Sequence, residues 1–123
     1  MDIFSSSFIA DSFYFNKGRI ALYAILKSMG IKNGDEVILQ GFTCVAVPLP
    51  ILQLGAIPVY VDIENSGYNI NVNLIEKKIT PSTKAIIVQH TYGIPADINT
   101  TLEIARKHNL YIIEDCCHSV SSR

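Results

Sequence analysis

Apolar and polar positions along this chain follow two alternating rhythms. Over residues 17–29, Ile20, Leu22, Ala24, Ile25, Leu26 and Met29 recur at mostly helical spacing. Gly30 and the Asn33-Gly34 pair then end the predicted helix in a turn. Short apolar runs rich in Val and Ile follow at 36–40, 57–61, 83–89 and 110–114, and each reads as a strand. Between the first two runs, Thr43 is a candidate N-cap for a helix reaching Leu54, although Pro48 and Pro50 fit better if that helix starts near Val47. Asn71 or Asn73 can cap a short helix through Lys78. Asp97 opens a longer one that ends near His108, with Asn109 as its stop. Strands alternating with amphipathic helices, with no linker or repeat between them, predict an α/β fold: a doubly wound, mainly parallel sheet. Phe42, Asp62, His90 and Asp115 are then expected near the carboxyl ends of its strands.

The stretch Tyr111-Ile112-Ile113-Glu114-Asp115-Cys116-Cys117-His118 changes the picture most. A buried strand there stops abruptly on two carboxylates, and ligands of open α/β sheets bind outside strand carboxyl ends. Asp115 would be a fixed negative charge at that edge, suited to holding a protonated heterocyclic nitrogen such as a pyridinium, with His118 folding back beside it. The plainer alternative makes Asp115 a cap for the following turn. A second feature is expected at the same edge. Lys17-Gly18-Arg19-Ile20 puts a glycine, a guanidinium and backbone N–H groups at a helix start, an arrangement that favours phosphate. It matches neither the G-x-x-x-x-G-K-[ST] loop nor G-x-G-x-x-G, which argues against an ordinary nucleotide-hydrolysing or dinucleotide-binding domain.

Composition narrows the class further. The 123 residues are 49% hydrophobic and 17% charged, enough for one core-bearing domain. A net charge of -1 without a basic stripe argues against nucleic acid as a partner. No apolar run is long enough to span a membrane, and residues 1–15 lack the basic start of a signal peptide. The three cysteines, Cys44, Cys116 and Cys117, are odd in number and two are adjacent, which suits reduced thiols and a cytoplasmic location. Cys116, Cys117 and His118 lack a second ligand pair, so no metal site is predicted.

Taken in order, these segments resemble the DegT/DnrJ/EryC1/StrS family of sugar aminotransferases, which use pyridoxal phosphate. The resemblance runs from about Asn16 to Ser121. It is carried by Gly34-Asp35-Glu36-Val37-Ile38, Phe42-Thr43, Gly55-Ala56-Ile57-Pro58-Val59 with Asp62 after it, and Thr83-Lys84-Ala85-Ile86-Ile87. It continues through His90-Thr91-Tyr92-Gly93 and Ile113-Glu114-Asp115-Cys116-Cys117-His118. The ordered set carries the resemblance, not any single motif. It implies part of the large domain of the type I aminotransferase fold. Asp115 matches the residue that pairs with the cofactor's pyridine nitrogen, and His118 the one near its phenolic oxygen. Gly18, Arg19 and Ile20 match the segment whose first helical turn holds the phosphate. Two positions depart from the family. Arg19 stands where a small hydroxyl residue is usual, and Cys44 where an aromatic stacks on the ring. Phe42 would then do the stacking, or Cys44 is a buried small apolar residue.

The family's Schiff-base lysine is expected beyond Arg123, and none of the lysines at 17, 27, 32, 77, 78, 84 and 107 matches its motif. Residues 1–123 therefore read as the N-terminal part of the cofactor-binding large domain, with no catalytic residue of their own. The rest of that domain and a small C-terminal domain would be absent. The complete enzyme implied is a homodimer moving an amino group, typically from glutamate, to a nucleotide-linked keto-sugar for glycan biosynthesis. Two alternatives belong to other classes. One is a response-regulator-like binding module with Asp62 as acceptor, for which the acidic pair and the lysine are not in place. The other is an inactive relic of the same fold.

Overall fold

The computed structural model describes residues 12–119, so the sequence reading of residues 1–11 and the end of the resemblance at Ser121 lie outside the described residues. Helix α1 (Gly18–Ser28) leads into strand β1 (Glu36–Gln40). Then come α2 (Pro48–Gln53), β2 (Ile57–Val61) and α3 (Val72–Ile75), which tightens into a 3-10 turn at Glu76–Lys78. Strand β3 (Thr83–Gln89), α4 (Ile98–His108) and β4 (Tyr111–Asp115) complete the order. All strand pairs are parallel, in the order β2-β1-β3-β4. The predicted mainly parallel, doubly wound α/β sheet is the one observed. No helix among the described residues is long and apolar enough to cross a membrane.

Residue parity along the strands sorts two cores. Val37, Leu39, Ala85, Ile87 and Ile113 face one side and pack with Leu26 of α1 and Ile51 of α2. Ile38, Ile86 and Val88 face the other and pack with Ile75 of α3 and with Ile104 and Ala105 of α4. A side-chain period of two, with helices over both faces, makes such strands apolar throughout. Fully burying one of these Leu, Ile or Val side chains is worth roughly 1.5–3 kcal/mol, so the sheet's interior register is strongly specified.

Local signals terminate the helices largely as expected. Asn71 caps α3 by accepting from the Asn73 N–H at 3.1 Å. Asp97 caps α4 through the Thr100 N–H at 3.0 Å, and Asn109 ends it in the left-handed region at φ 54°. The segment after β1 is the exception. Residues 43–46 are not helical, α2 begins only at Pro48, and Thr43 caps nothing. Its hydroxyl instead donates to Gln89 Oε1 at 2.5 Å. Pro48, with no N–H to lose, takes the first helical position.

Chain order fixes where a ligand site can form. From β1 the chain moves outward to β2, and from β3 it moves outward to β4 on the other side. The crevice at the carboxyl ends of β1 and β3 is thus the topological switch point, the usual ligand position in such sheets.

Candidate cofactor site

A cavity of about 960 Å³ opens at this switch point. The first turns of α1 form one wall with Gly18 and Arg19, and the loop after β1 forms another with Phe42, Thr43 and Cys44. Gln89, Thr91 and Tyr92 close it from β3 and its loop, and residues 113–118 from the end of β4 and the turn after it. Of the residues singled out in the sequence, Gly18, Arg19, Cys44, Asp115 and His118 all line this one space. Ile20 does not. It is exposed on α1, and its N–H is already bonded to the Lys17 carbonyl at 3.0 Å. Asp62 is exposed and lies outside the lining too. Cys44 is exposed, which overturns the reading of it as a buried small apolar residue; Phe42 and Cys44 both face the cavity.

Asp115 is the last residue of β4, in register with Gln89 of β3. Its carboxylate is held at both oxygens. Oδ1 accepts the Cys117 N–H at 3.0 Å, the turn-capping bond, and Oδ2 accepts from Gln89 Nε2 at 3.1 Å. Capping the turn and facing the cavity are therefore compatible roles. The Cys117 thiol also bonds to this carboxylate, and that bond, with burial and the neighbouring charge, pushes it up to about 11. Cys117 is thus a neutral donor at neutral pH. Burial, then Glu114 and Asp115, raise Cys116 as well.

The start of α1, which lines the same cavity, is suited to an anion. Lys17 is the N-cap but makes no side-chain capping bond, and the first turn holds no acidic residue. Arg19 lines the cavity in that first turn, beside the positive end of the helix dipole.

His118 stacks on Tyr92, with ring centroids 5.7 Å apart and planes within 2°. Its Nδ1 accepts the Tyr92 N–H at 3.2 Å, so the neutral ring carries its proton on Nε2. Tyr92 delivers that N–H from the left-handed region at φ 54°, a conformation costing about 1–2 kcal/mol for a residue with a side chain. Its ring joins Phe42 and Tyr68 in an exposed aromatic cluster, with centroids 5.3–6.4 Å apart.

Two buried residues that sequence reasoning passed over hold these loops. Gln40 Nε2 lies 2.7 Å from the Phe42 carbonyl, 3.1 Å from the Tyr68 carbonyl and 2.8 Å from the Thr91 hydroxyl, tying three loops to one amide. His90 accepts the Ala96 N–H at Nδ1 (3.0 Å) and meets Glu114 Oε1 through Nε2 at 2.6 Å. His90 Nε2, Glu114 and Cys116 lie within 4.8 Å of one another, close enough to suggest a metal. The Ala96 N–H argues against it. With Nδ1 already accepting, the ring proton sits on Nε2, the very atom a metal would need, and Cys116 is held as a thiol.

Comparison with known proteins agrees with this geometry. Residues 11–123 match the profile of the DegT/DnrJ/EryC1/StrS aminotransferase family. The chain belongs to that family. It is 41% identical over 108 residues to GDP-perosamine synthase of Escherichia coli O157:H7, covering 88% of this chain and 30% of that protein. It is 45% identical over 102 residues to UDP-2-acetamido-2-deoxy-3-oxo-D-glucuronate aminotransferase of Pseudomonas aeruginosa, covering 83% and 28%. Among solved structures, S. venezuelae DesV in complex with a ketimine intermediate superposes with a TM-score of 0.83 at 39% identity, over 85% of this chain and 28% of that one. NtdA from Bacillus subtilis with bound cofactor PMP gives 0.81 at 36%, over 84% and 24%. The chain thus spans about 30% of the length of the curated relatives it matches.

Proposed function

We propose that residues 1–123 are the N-terminal part of the pyridoxal-phosphate-binding large domain of an aminotransferase acting on a nucleotide-linked keto-sugar. The parent protein is a cytoplasmic homodimer, with glutamate as amino donor, making amino sugars for surface polysaccharide or related glycans. Family membership and relatives named for GDP- and UDP-sugar chemistry support this reading. The observation that carries it is Asp115. A carboxylate at the carboxyl end of β4 faces a cavity that is also lined by an uncapped helix start and an arginine. The carboxylate and the helix start are of the charge that suits the two ends of pyridoxal phosphate, a pyridine nitrogen and a phosphate.

When bound, the cofactor supplies an electron sink for removal of a substrate α-proton. Asp115 would hold a proton on the pyridine nitrogen, and Gly18 and Arg19 would receive the phosphate. His118 would offer an Nε2–H donor to the phenolic oxygen. Phe42 and Cys44 flank the ring's space, with Phe42 supplying the only large apolar face of the two. None of the chain's lysines lines the cavity among the described residues, so residues 12–119 supply the cradle and not the covalent anchor. The same fact gives the non-catalytic binding module its footing as a second reading for this segment taken alone.

The test is Asp115→Asn in the full-length protein, assayed by single-turnover amino transfer at saturating cofactor. Loss of a charge-assisted hydrogen bond costs on the order of 1.5–3 kcal/mol, and the weakened sink slows proton removal further. A fall in kcat of at least about a hundredfold, or roughly 2.7 kcal/mol, is expected. Turnover within about threefold of wild type would make Asp115 a turn cap only.

A further inference from the structure

We propose that Gln89 is a positioning residue for Asp115, with Thr43 behind it, so that a row of three side chains across the switch point sets how the carboxylate faces the cavity. This rests on the reading above, in which Asp115 holds the pyridine nitrogen.

The row follows from register. Gln89 and Asp115 are paired terminal residues of adjacent parallel strands, so their side chains emerge together on one face of the sheet. That face is the one Ile87 and Ile113 share, on the α1 and α2 side. Thr43, from the loop after β1, completes the line: its hydroxyl donates to Gln89 Oε1 at 2.5 Å, and Gln89 Nε2 donates to Asp115 Oδ2 at 3.1 Å. The direction of the row is not arbitrary. An ionised carboxylate only accepts, so the amide must turn its NH2 group toward Asp115. Oε1 is then left facing Thr43, whose hydroxyl must donate. The Cys117 N–H occupies the other carboxylate oxygen. Both carboxylate oxygens are therefore fixed, and the plane of the group with them. An ionised carboxylate has about four lone-pair sites; with the Cys117 thiol taking a third, about one remains to accept an N–H donor held in the cavity.

The row makes a prediction that a merely structural role for Gln89 does not. In the full-length protein loaded with pyridoxal phosphate labelled with 15N in the ring, Gln89→Leu keeps the approximate size and removes both amide functions. It should lower kcat by about tenfold, the scale of one hydrogen bond to a charged group, with KM for the sugar little changed. The ring nitrogen's 15N signal should shift toward the unprotonated form at lower pH than in wild type. Thr43→Val, nearly isosteric, should move both readouts the same way by a smaller factor, and Thr43→Ser, which keeps the hydroxyl, should recover most of that loss. It also supplies the answer if Gln89→Leu does not fold. If Asp115→Asn removes ring protonation while Gln89→Leu and Thr43→Val leave both readouts within twofold of wild type, Gln89 is overturned as a positioning residue and Asp115 stands. If Asp115→Asn itself leaves the ring nitrogen protonated, the assignment of Asp115 fails, and the role of Gln89 falls with it.

Discussion

Asp115→Asn can be read out without any cofactor, through the thiol two residues away. Cys117 stands at about 11 against an ordinary 9.0, first because its thiol bonds to the Asp115 carboxylate, then through burial, then through the charges of Asp115 and Cys116. Each of these favours the protonated thiol. At pH 8.5 a thiol at 9.0 is ionised in about a quarter of molecules and one at 11 in about 0.3%, so folded Cys117 should alkylate roughly eightyfold more slowly than in the denatured chain. The substitution removes the charged acceptor and the charge but leaves burial. The new asparagine side chain keeps one carbonyl oxygen for the Cys117 N–H, and the Gln89 amide can turn over to accept from the NH2 group it brings. About tenfold of the eightyfold slowing should therefore be lost. The assay is timed iodoacetamide labelling from pH 7.5 to 10.5, with fragmentation to separate Cys116 from Cys117 and the urea-denatured chain as reference. The linkage has a sign as well. A folded value above the unfolded one contributes stability that is complete below pH 9 and lost as pH rises through about 11. The urea midpoint should fall over that window in wild type and less in the variant. Labelling of folded Cys117 at the denatured rate, or no acceleration in Asp115→Asn, would refute the carboxylate–thiol pairing.

Two further substitutions test the scaffold. Gln40→Leu should cost about 2–3 kcal/mol by urea denaturation, because the two N–H groups shared among acceptors of three loops, the Thr91 hydroxyl buried among them, are lost at about 1–3 kcal/mol each. The figure stays below their sum because Gln40 Oε1 is itself buried without a partner, and its removal returns part of the loss. Asp97→Ala should cost about 1 kcal/mol and Asp97→Asn only a few tenths, as for other N-caps. The Thr100 backbone and side-chain bonds hold Asp97 below its ordinary 3.8, so its contribution is present above that pH and lost on acidification below it, which an acid titration of the melting temperature would follow.

Much of this architecture was legible because it is encoded locally. Runs such as Ala85-Ile86-Ile87-Val88 have no alternative to burial between two helical layers. Asp97 and Asn109 carry the geometry of their helix ends within four residues. Thr43 shows where local reading stops. A threonine ahead of an apolar segment looks like an N-cap, but its partner Gln89 lies 46 residues along, and a bond across two strands leaves no mark on spacing. Gln40 was hidden for the same reason, its amide bonding residues as far away as Thr91. Ile20 differs. Its place in a family segment carried it into the expected site, whereas here its N–H bonds the Lys17 carbonyl and it lies outside the cavity lining.

Strand parity could have exposed Gln89, and it explains how the edge divides its polar groups. Two glutamines end adjacent strands, Gln40 on β1 and Gln89 on β3. Counting back by twos, Gln40 continues the row of Ile38 and Gln89 the row of Ile87, which belong to opposite cores. Gln40 therefore falls on the side of α3 and α4, where it ties down the loops at Phe42, Tyr68 and Thr91. His90, in the row of Val88, and Glu114, in the row of Ile112, meet on that side too. Gln89 and Asp115 fall on the side of α1, where the cavity lies. One face of the edge thus fixes the loops while the other presents the charge. A one-residue slip of β4 against β3 would put Glu114 in place of Asp115 opposite Gln89 and break both sets of bonds at once. That coupling ties the register of the sheet, set by its apolar interior, to the orientation of the one carboxylate on which the proposed chemistry depends.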